Sequence, residues 1–145
     1  PIIDVMVQKL TETAQFPTYS HLTDACADIY ADEDVIIKPG ETHAVSTGLA
    51  FAIPDGHVIH VYARSGLSLK SSIRLANSVG IIDADYRGEI GVILINLSSE
   101  TQTIEPGERI CQMVIAKHEQ PELREVEILG ETDRGTGGFG HSGTK

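Results

Sequence analysis

Turn-forming residue pairs cut this chain into pieces too short for long helices. Pro39-Gly40, Asp55-Gly56 and Pro106-Gly107 recur between stretches rich in β-branched residues, and such pairs supply the φ values that chain reversals need. Between them, residues 2–10, 35–37, 44–53, 57–64, 89–97 and 109–116 read as strands. Residues 57–64 alternate, with Val58, His60, Tyr62 and Arg64 on one face and Ile59, Val61 and Ala63 on the other. Residues 89–97 are apolar almost throughout, which predicts a strand buried on both faces. The one helix expected is short, residues 66–72, with Ser65 as its N-cap. The expected class is all-β: a jelly-roll-like β-sandwich or distorted barrel with one short helix.

The 145 residues suit one domain, and a hydrophobic content of 41% excludes a disordered chain. A formal net charge of −10 argues against nonspecific nucleic-acid or membrane binding, which needs basic surface. It leaves room for a phosphorylated small molecule held by a few local donors. Cys26 and Cys111 lie among apolar neighbours without metal-binding spacing, the pattern of free thiols in a reducing compartment. His21, His43, His57, His60, His118 and His141 show no zinc-ligand spacing. With no signal peptide and no apolar run of membrane-spanning length, the expectation is a soluble intracellular protein, cytoplasmic if bacterial. The folded domain is expected over residues 1–130. Residues 131–145 are polar and Gly-rich, which predicts a flexible C-terminal arm.

Three segments can carry chemistry. In Ala63-Arg64-Ser65-Gly66-Leu67-Ser68 a strand gives way to a helix start, whose unpaired amides, with the Arg64 charge and the Ser65 hydroxyl, suit an anion. Taken alone, it reads more simply as a capped strand-to-helix turn. Residues 77–89 read as a hairpin with Asp83 at the end of an apolar stretch. A carboxylate partly desolvated there would suit a general base, although Asp is also a common turn residue. The arm carries one Phe, Phe139, and one Arg, Arg134, among glycines, types that stack on a base and clamp a phosphate. It has no Gly-Lys-Ser/Thr at a helix start and so is not a P-loop.

Together these segments resemble the trimeric dUTPase family, whose five motifs occur in order: Ala25-Cys26-Ala27-Asp28-Ile29, Arg64-Ser65-Gly66-Leu67-Ser68, residues 80–88 ending Asp83-Ala84-Asp85-Tyr86-Arg87-Gly88, residues 106–113 from Pro106-Gly107-Glu108 to Gln112-Met113, and residues 134–143. The first motif departs at Cys26, where the family usually has Gly. The resemblance implies a homotrimer with shared active sites that hydrolyses dUTP to dUMP and diphosphate, limiting uracil in DNA and supplying dUMP for thymidylate synthesis. It implies Asp83 as general base for water attacking the α-phosphorus. Arg64, Ser65, Gly66 and Gln112 would hold phosphate oxygens, and Mg²⁺ would ride on the triphosphate with Asp28 holding one of its waters. Gly80, Ile81, Ile82 and Gly91 would read uracil through their backbones, with Asn77 assisting, and Tyr86 would pack on the deoxyribose. Arg134 and Ser142 would reach the terminal phosphate while Phe139 stacks on the base. Two other readings remain: a dCTP deaminase-like enzyme, and a dUTP-binding regulatory protein without turnover.

Overall fold

The computed structural model describes residues 2–145 and is all-β, with one helix of seven residues. The strands in chain order are β1 (Met6–Lys9), β2 (Ala27–Tyr30), β3 (Val35–Ile37), β4 (Thr42–Ser46), β5 (Leu49–Ala52), β6 (His57–Tyr62), β7 (Ile73–Leu75), β8 (Gly80–Ile82), β9 (Gly91–Asn96), β10 (Gln102–Ile104) and β11 (Arg109–Lys117), with α1 (Ser65–Ser71) between β6 and β7. A four-stranded sheet in the order β2-β11-β6-β8 and a three-stranded sheet β4-β9-β7 are joined by the ribbons β1-β5 and β3-β10. Every strand pairing is antiparallel. This is the jelly-roll-like arrangement that the turn spacing implies. Ile29, Ile37, Val45, Leu49, Ile59, Leu94 and Ile110 fill the core, and each such side chain contributes about 1.5–3 kcal/mol by leaving water.

Three local expectations are corrected. Residues 44–53 do not form one strand: the run breaks at Thr47-Gly48, so that β4 pairs with β9 and β5 pairs with β1. Gly48 sits at φ +70, and a Cβ there would lie 2.7 Å from Asp32 Oδ2, 2.7 Å from Thr11 Oγ1 and 2.8 Å from Ala14 Cβ. The buried Thr47 hydroxyl donates to the Ile90 carbonyl at 2.7 Å. Nor is residues 89–97 a strand buried on both faces. Val92, Leu94 and Asn96 point inward while Gly91 and Ile93 are exposed, because within one chain only the inner face of the β4-β9-β7 sheet is covered.

The third correction decides where a site can form. Residues 77–89 are not a hairpin. β8 pairs with β6 in one sheet, β9 pairs with β4 and β7 in the other, and residues 83–90 cross between them. Sequence reasoning also missed Asn96. Its amide donates to the carbonyls of Ile37 at 2.9 Å and Glu100 at 2.7 Å, and its oxygen accepts from the Ser98 amide at 2.9 Å, so a buried polar group closes the β9–β10 turn with its partners satisfied. After β11, residues 118–145 form neither strand nor helix. Among the described residues no helix is long and apolar enough to cross a membrane.

Gly48→Ala should lower the unfolding free energy by about 2–4 kcal/mol, because it adds left-handed backbone strain to three side-chain overlaps. Urea denaturation measures this, and a variant as stable as the parent would show that the joint relaxes freely.

Candidate active site

β8 is an edge strand. It pairs with β6 through Ile59↔Ile82, His60↔Ile81 and Val61↔Gly80, and among the described residues no strand lies on its other side. There Gly80, Ile81 and Ile82 line a cavity of about 270 Å³, together with Asn77, Asp83, Tyr86, Glu89 and Gly91. The cavity lies in the crevice that the crossing of residues 83–90 opens between the two sheets. An unpaired strand edge offers backbone N–H and C=O groups to whatever fills it. Ser78 takes a left-handed φ of 64, held by the Ser78 amide donating to Leu75 O at 3.2 Å and the Val79 amide donating to Asn77 O at 2.7 Å. This tight turn sets Asn77 at the cavity mouth.

Asp83 follows β8 directly. Its carbonyl accepts from the Tyr86 amide at 3.2 Å, and this turn carries the side chain outward. Asp83 is exposed at the cavity rim, so the partial desolvation expected from its apolar neighbours is absent in the single chain. Tyr86 lies across the same mouth, its hydroxyl donating to the Glu89 carbonyl at 3.1 Å.

A second recess, of about 370 Å³, gathers Asp28, Arg64, Ser65, Gly66 and Gln112 with Cys26 and the loop carrying His21 and Asp24. Strand register assembles it: Asp28 on β2 stands opposite Gln112 on β11, and Gln112 stands opposite Tyr62 on β6, two residues before Arg64. Arg64 Nε lies 3.1 Å from Asp28 Oδ1, and Arg109 Nε lies 3.8 Å from Asp28 Oδ2. The Gln112 amide donates to Ala63 O at 3.0 Å, and its second N–H remains for the cleft. Ser65 is not the N-cap: Arg64 is, in extended conformation and without a side-chain cap bond. The Ser65 hydroxyl therefore caps nothing, and the first-turn amides lack intrahelical partners.

Cys26 does not occupy a left-handed φ, so the backbone there accepts a side chain where the family usually has glycine. Cys26 and Cys111 are not bonded to each other. Burial, and then the nearby Asp28 charge, push the Cys111 thiol up to about 12 against a smaller opposing effect of Arg64. The same two causes, burial first, raise Cys26. Among the described residues no group of three or more His, Cys, Asp or Glu side chains could hold a metal ion. With Asp28 paired to guanidinium groups and Asp24 the only other carboxylate in the recess, the donors present offer no protein cage, and of the metals they would suit only one such as Mg²⁺ that keeps much of its water and binds through substrate phosphates.

The candidate residues thus fall into three groups. Asn77, Gly80, Ile81, Ile82, Asp83, Tyr86 and Gly91 share one cavity. Asp28, Arg64, Ser65, Gly66 and Gln112 share the other, and the two have no lining residue in common. Arg134, Phe139 and Ser142 line neither. The arm's hydrogen bonds are internal, among them Arg134 Nε donating to Gly137 O at 2.5 Å, and Phe139 is fully exposed. Arg109 was not anticipated; only its register opposite Tyr30 brings it near Asp28.

Fold and recesses put the chain in the class of jelly-roll-like all-β proteins with two open surface recesses. A family model described as dUTPase matches residues 12–143. The deoxyuridine 5'-triphosphate nucleotidohydrolase of Finegoldia magna is 49% identical over 129 residues, covering 88% of this chain and 90% of that protein. That of Nautilia profundicola is 49% identical over 137 residues, covering 94% and 96%. Among solved structures, a mutant dUTPase of Staphylococcus bacteriophage 80alpha with dUpNHpp matches at a TM-score of 0.87 and 31% identity, covering 97% of this chain and 99% of that one. A mutant dUTPase of phage phi11 of S. aureus, described with a structural Mg(II) ion, matches at 0.83 and 29%, covering 89% and 100%. The chain belongs to the dUTPase family.

Because the thiolate is the reactive form, neither cysteine of the folded protein should alkylate appreciably with iodoacetamide at pH 7, and both should react once urea unfolds the chain. Mass spectrometry of the labelled protein checks this; rapid labelling of Cys111 in the native state would show that its burial is transient.

Proposed function

We propose that this protein hydrolyses dUTP to dUMP and diphosphate, with Asp83 as general base. The observation that carries the reading is the open edge of β8, which runs directly into Asp83 and Tyr86 around one cavity. Uracil presents one N–H between two carbonyls, and the free backbone groups of Gly80 to Ile82, with Gly91 and Asn77, can match that order. Cytosine reverses two of those polarities and would leave buried groups unpaired, a penalty of about 1–3 kcal/mol each. Tyr86 lies where a deoxyribose would pack and leaves little room for a 2′-hydroxyl.

The phosphates would extend to the Arg64 cleft, where Ser65, the Gly66 amide, Gln112 and Arg64 offer donors to their oxygens. Asp83 takes a proton from water as the water oxygen bonds to the α-phosphorus. The bond from that phosphorus to the bridging oxygen breaks, and diphosphate leaves with the electron pair. Mg²⁺, when bound, would neutralise phosphate charge, with Asp28 holding one of its waters. Removing dUTP in this way keeps uracil out of DNA and supplies dUMP.

Self-association as a homotrimer is part of the reading. One chain keeps the base cavity, the phosphate cleft and the arm apart, and a site shared between copies would unite them. The tail also leaves Leu123, Val126 and Ile128 exposed, the last two flanking Glu127, an alternation suited to a strand that finds its partner on another copy. Against a dCTP deaminase-like enzyme stand the family match through residue 143 and the arm itself. A purely regulatory nucleotide binder would have no use for a carboxylate at the Asp83 position.

Asp83→Asn should retain dUTP binding and lose about 10²–10⁴-fold in kcat. Diphosphate release compared across dUTP, dTTP, dCTP and UTP tests both base and substrate. Near-parental kcat in the variant would remove Asp83 as base, and equal rates on dCTP would remove the base-reading edge.

Deleting residues 133–145 should leave the thermal midpoint and the sedimentation coefficient of a trimer nearly unchanged, since the arm adds no core. Its kcat/KM for dUTP should fall at least about tenfold, through loss of Arg134, Phe139 and Ser142 from the closed site. A truncated protein with full kcat/KM would make the arm dispensable.

A further inference from the structure

Glu89 lines the nucleoside cavity, and nothing in the proposed chemistry employs its carboxylate. One carboxylate oxygen accepts a hydrogen bond from the Gly48 amide at 2.9 Å. The carbonyl of the same residue accepts the Tyr86 hydroxyl at 3.1 Å. Gly48 is a fixed point, because side-chain atoms of Asp32, Thr11 and Ala14 wall in its α-carbon and its own carbonyl accepts from the Leu10 amide at 2.7 Å. At the other end, a Cβ on Gly88 would lie 2.6 Å from Tyr86 Cζ, so the ring rests directly on the backbone just before Glu89.

We propose that Glu89 is a positioning residue for sugar discrimination, its carboxylate tying Gly48 to the 88–89 backbone on which the Tyr86 ring rests. This rests on the reading of Tyr86 as the group that packs against the deoxyribose. The carboxylate is not needed to hold the two sheets together at this point. The Thr47 hydroxyl donates to Ile90 O at 2.7 Å, and the Ile90 amide donates to Leu49 O at 2.8 Å. These two bonds secure residue 90 whatever occupies position 89. What the carboxylate adds is a hold on residue 89 itself. The Glu89 carbonyl shares a planar peptide unit with the Ile90 amide and stays where the Leu49 bond holds it; without the carboxylate it is the Gly88–Glu89 stretch that loses its tie to Gly48, and the Tyr86 ring loses its fixed seat on Gly88. An anionic acceptor on a backbone amide is among the stronger hydrogen bonds, and a glutamine side chain can replace its oxygen without its charge.

The test measures kcat/KM for dUTP and for UTP in the full chain, as the parent, Glu89→Ala, Glu89→Gln, Tyr86→Phe, Tyr86→Ala and the double variant Glu89→Ala/Tyr86→Phe. Glu89→Ala should lower the dUTP/UTP preference about fivefold to tenfold, the scale of one hydrogen bond, and Glu89→Gln should stay within about twofold of the parent. Tyr86→Phe removes a different hold on the ring, the hydroxyl bond to the Glu89 carbonyl, so the double variant should lose more discrimination than either single change. A simple loss of stability would lower the thermal midpoint and both rates without moving their ratio. Should Tyr86→Ala lose discrimination while Glu89→Ala keeps the parental ratio, the positioning role is overturned and the sugar gate stands. Should Tyr86→Ala itself leave the ratio unchanged, the gate falls, and the role of Glu89 falls with it.

Discussion

The join between Thr47-Gly48 and Glu89-Ile90 is the constraint on which the candidate site depends. β4 and β5 belong to different pairings, and the chain passes between them through a left-handed glycine enclosed by side chains. A backbone amide freed by that kink would be costly if left unpaired. Gly48 resolves this by donating to Glu89, while the Thr47 hydroxyl and the Leu49 carbonyl take up the two backbone groups of Ile90. Residues 83–88 leave this anchored end and return to β8, so their course is fixed at one end by the kink and at the other by the β6–β8 ladder. The cavity is the space that remains between those attachments.

Ion pairing in the second recess locally offsets the negative charge of the whole molecule. The chain carries −10; here two guanidinium groups, of Arg64 and Arg109, face the Asp28 carboxylate, and Asp24 adds a second carboxylate to the recess. Asp28 keeps only 13% of its side-chain exposure. An anion so placed needs its partners, and the partners are held in position by it. Arg64 is thereby fixed before any ligand arrives, which spares part of the ordering cost that a free arginine would carry into binding. The acidic remainder of the surface opposes longer polyanions such as nucleic acid.

The strands were legible because turn residues mark their ends, and the edges of β3, β6 and β11 fall within a few residues of where composition places them. What sequence could not convey was partnership. Residues 77–89 have every local property of a hairpin, but β8 finds β6 because the Ile59, Val61 and Ile82 side chains pack there, and no local rule encodes that choice. The apolar run at β9 was overread for a related reason: its outer residues are apolar too, yet among the described residues Gly91 and Ile93 stay exposed. Ser65 was misread as a cap because serine favours that position, whereas here Arg64 takes it with no side-chain bond. The site residues were legible as motifs, but their division between two recesses followed only from the sheet order.

That division also bears on why the arm has its composition. With β2 and β8 at opposite edges of a four-stranded sheet, about three inter-strand spacings, or roughly 14 Å, separate the two edges. Neither recess is closed, and the carboxylate proposed as base stands at an open rim beside bulk water. A segment that covered both would have to follow a nucleotide's contour without packing into any core of its own. Glycines allow that path, and Phe139 already sits at a left-handed φ of 44 within it, a conformation that costs a non-glycine residue about 1–2 kcal/mol. A ring held there by local turns alone makes no contact that offsets the strain. Stacking on a base would offset it, so that the arm's ordering and the filling of the site become one event.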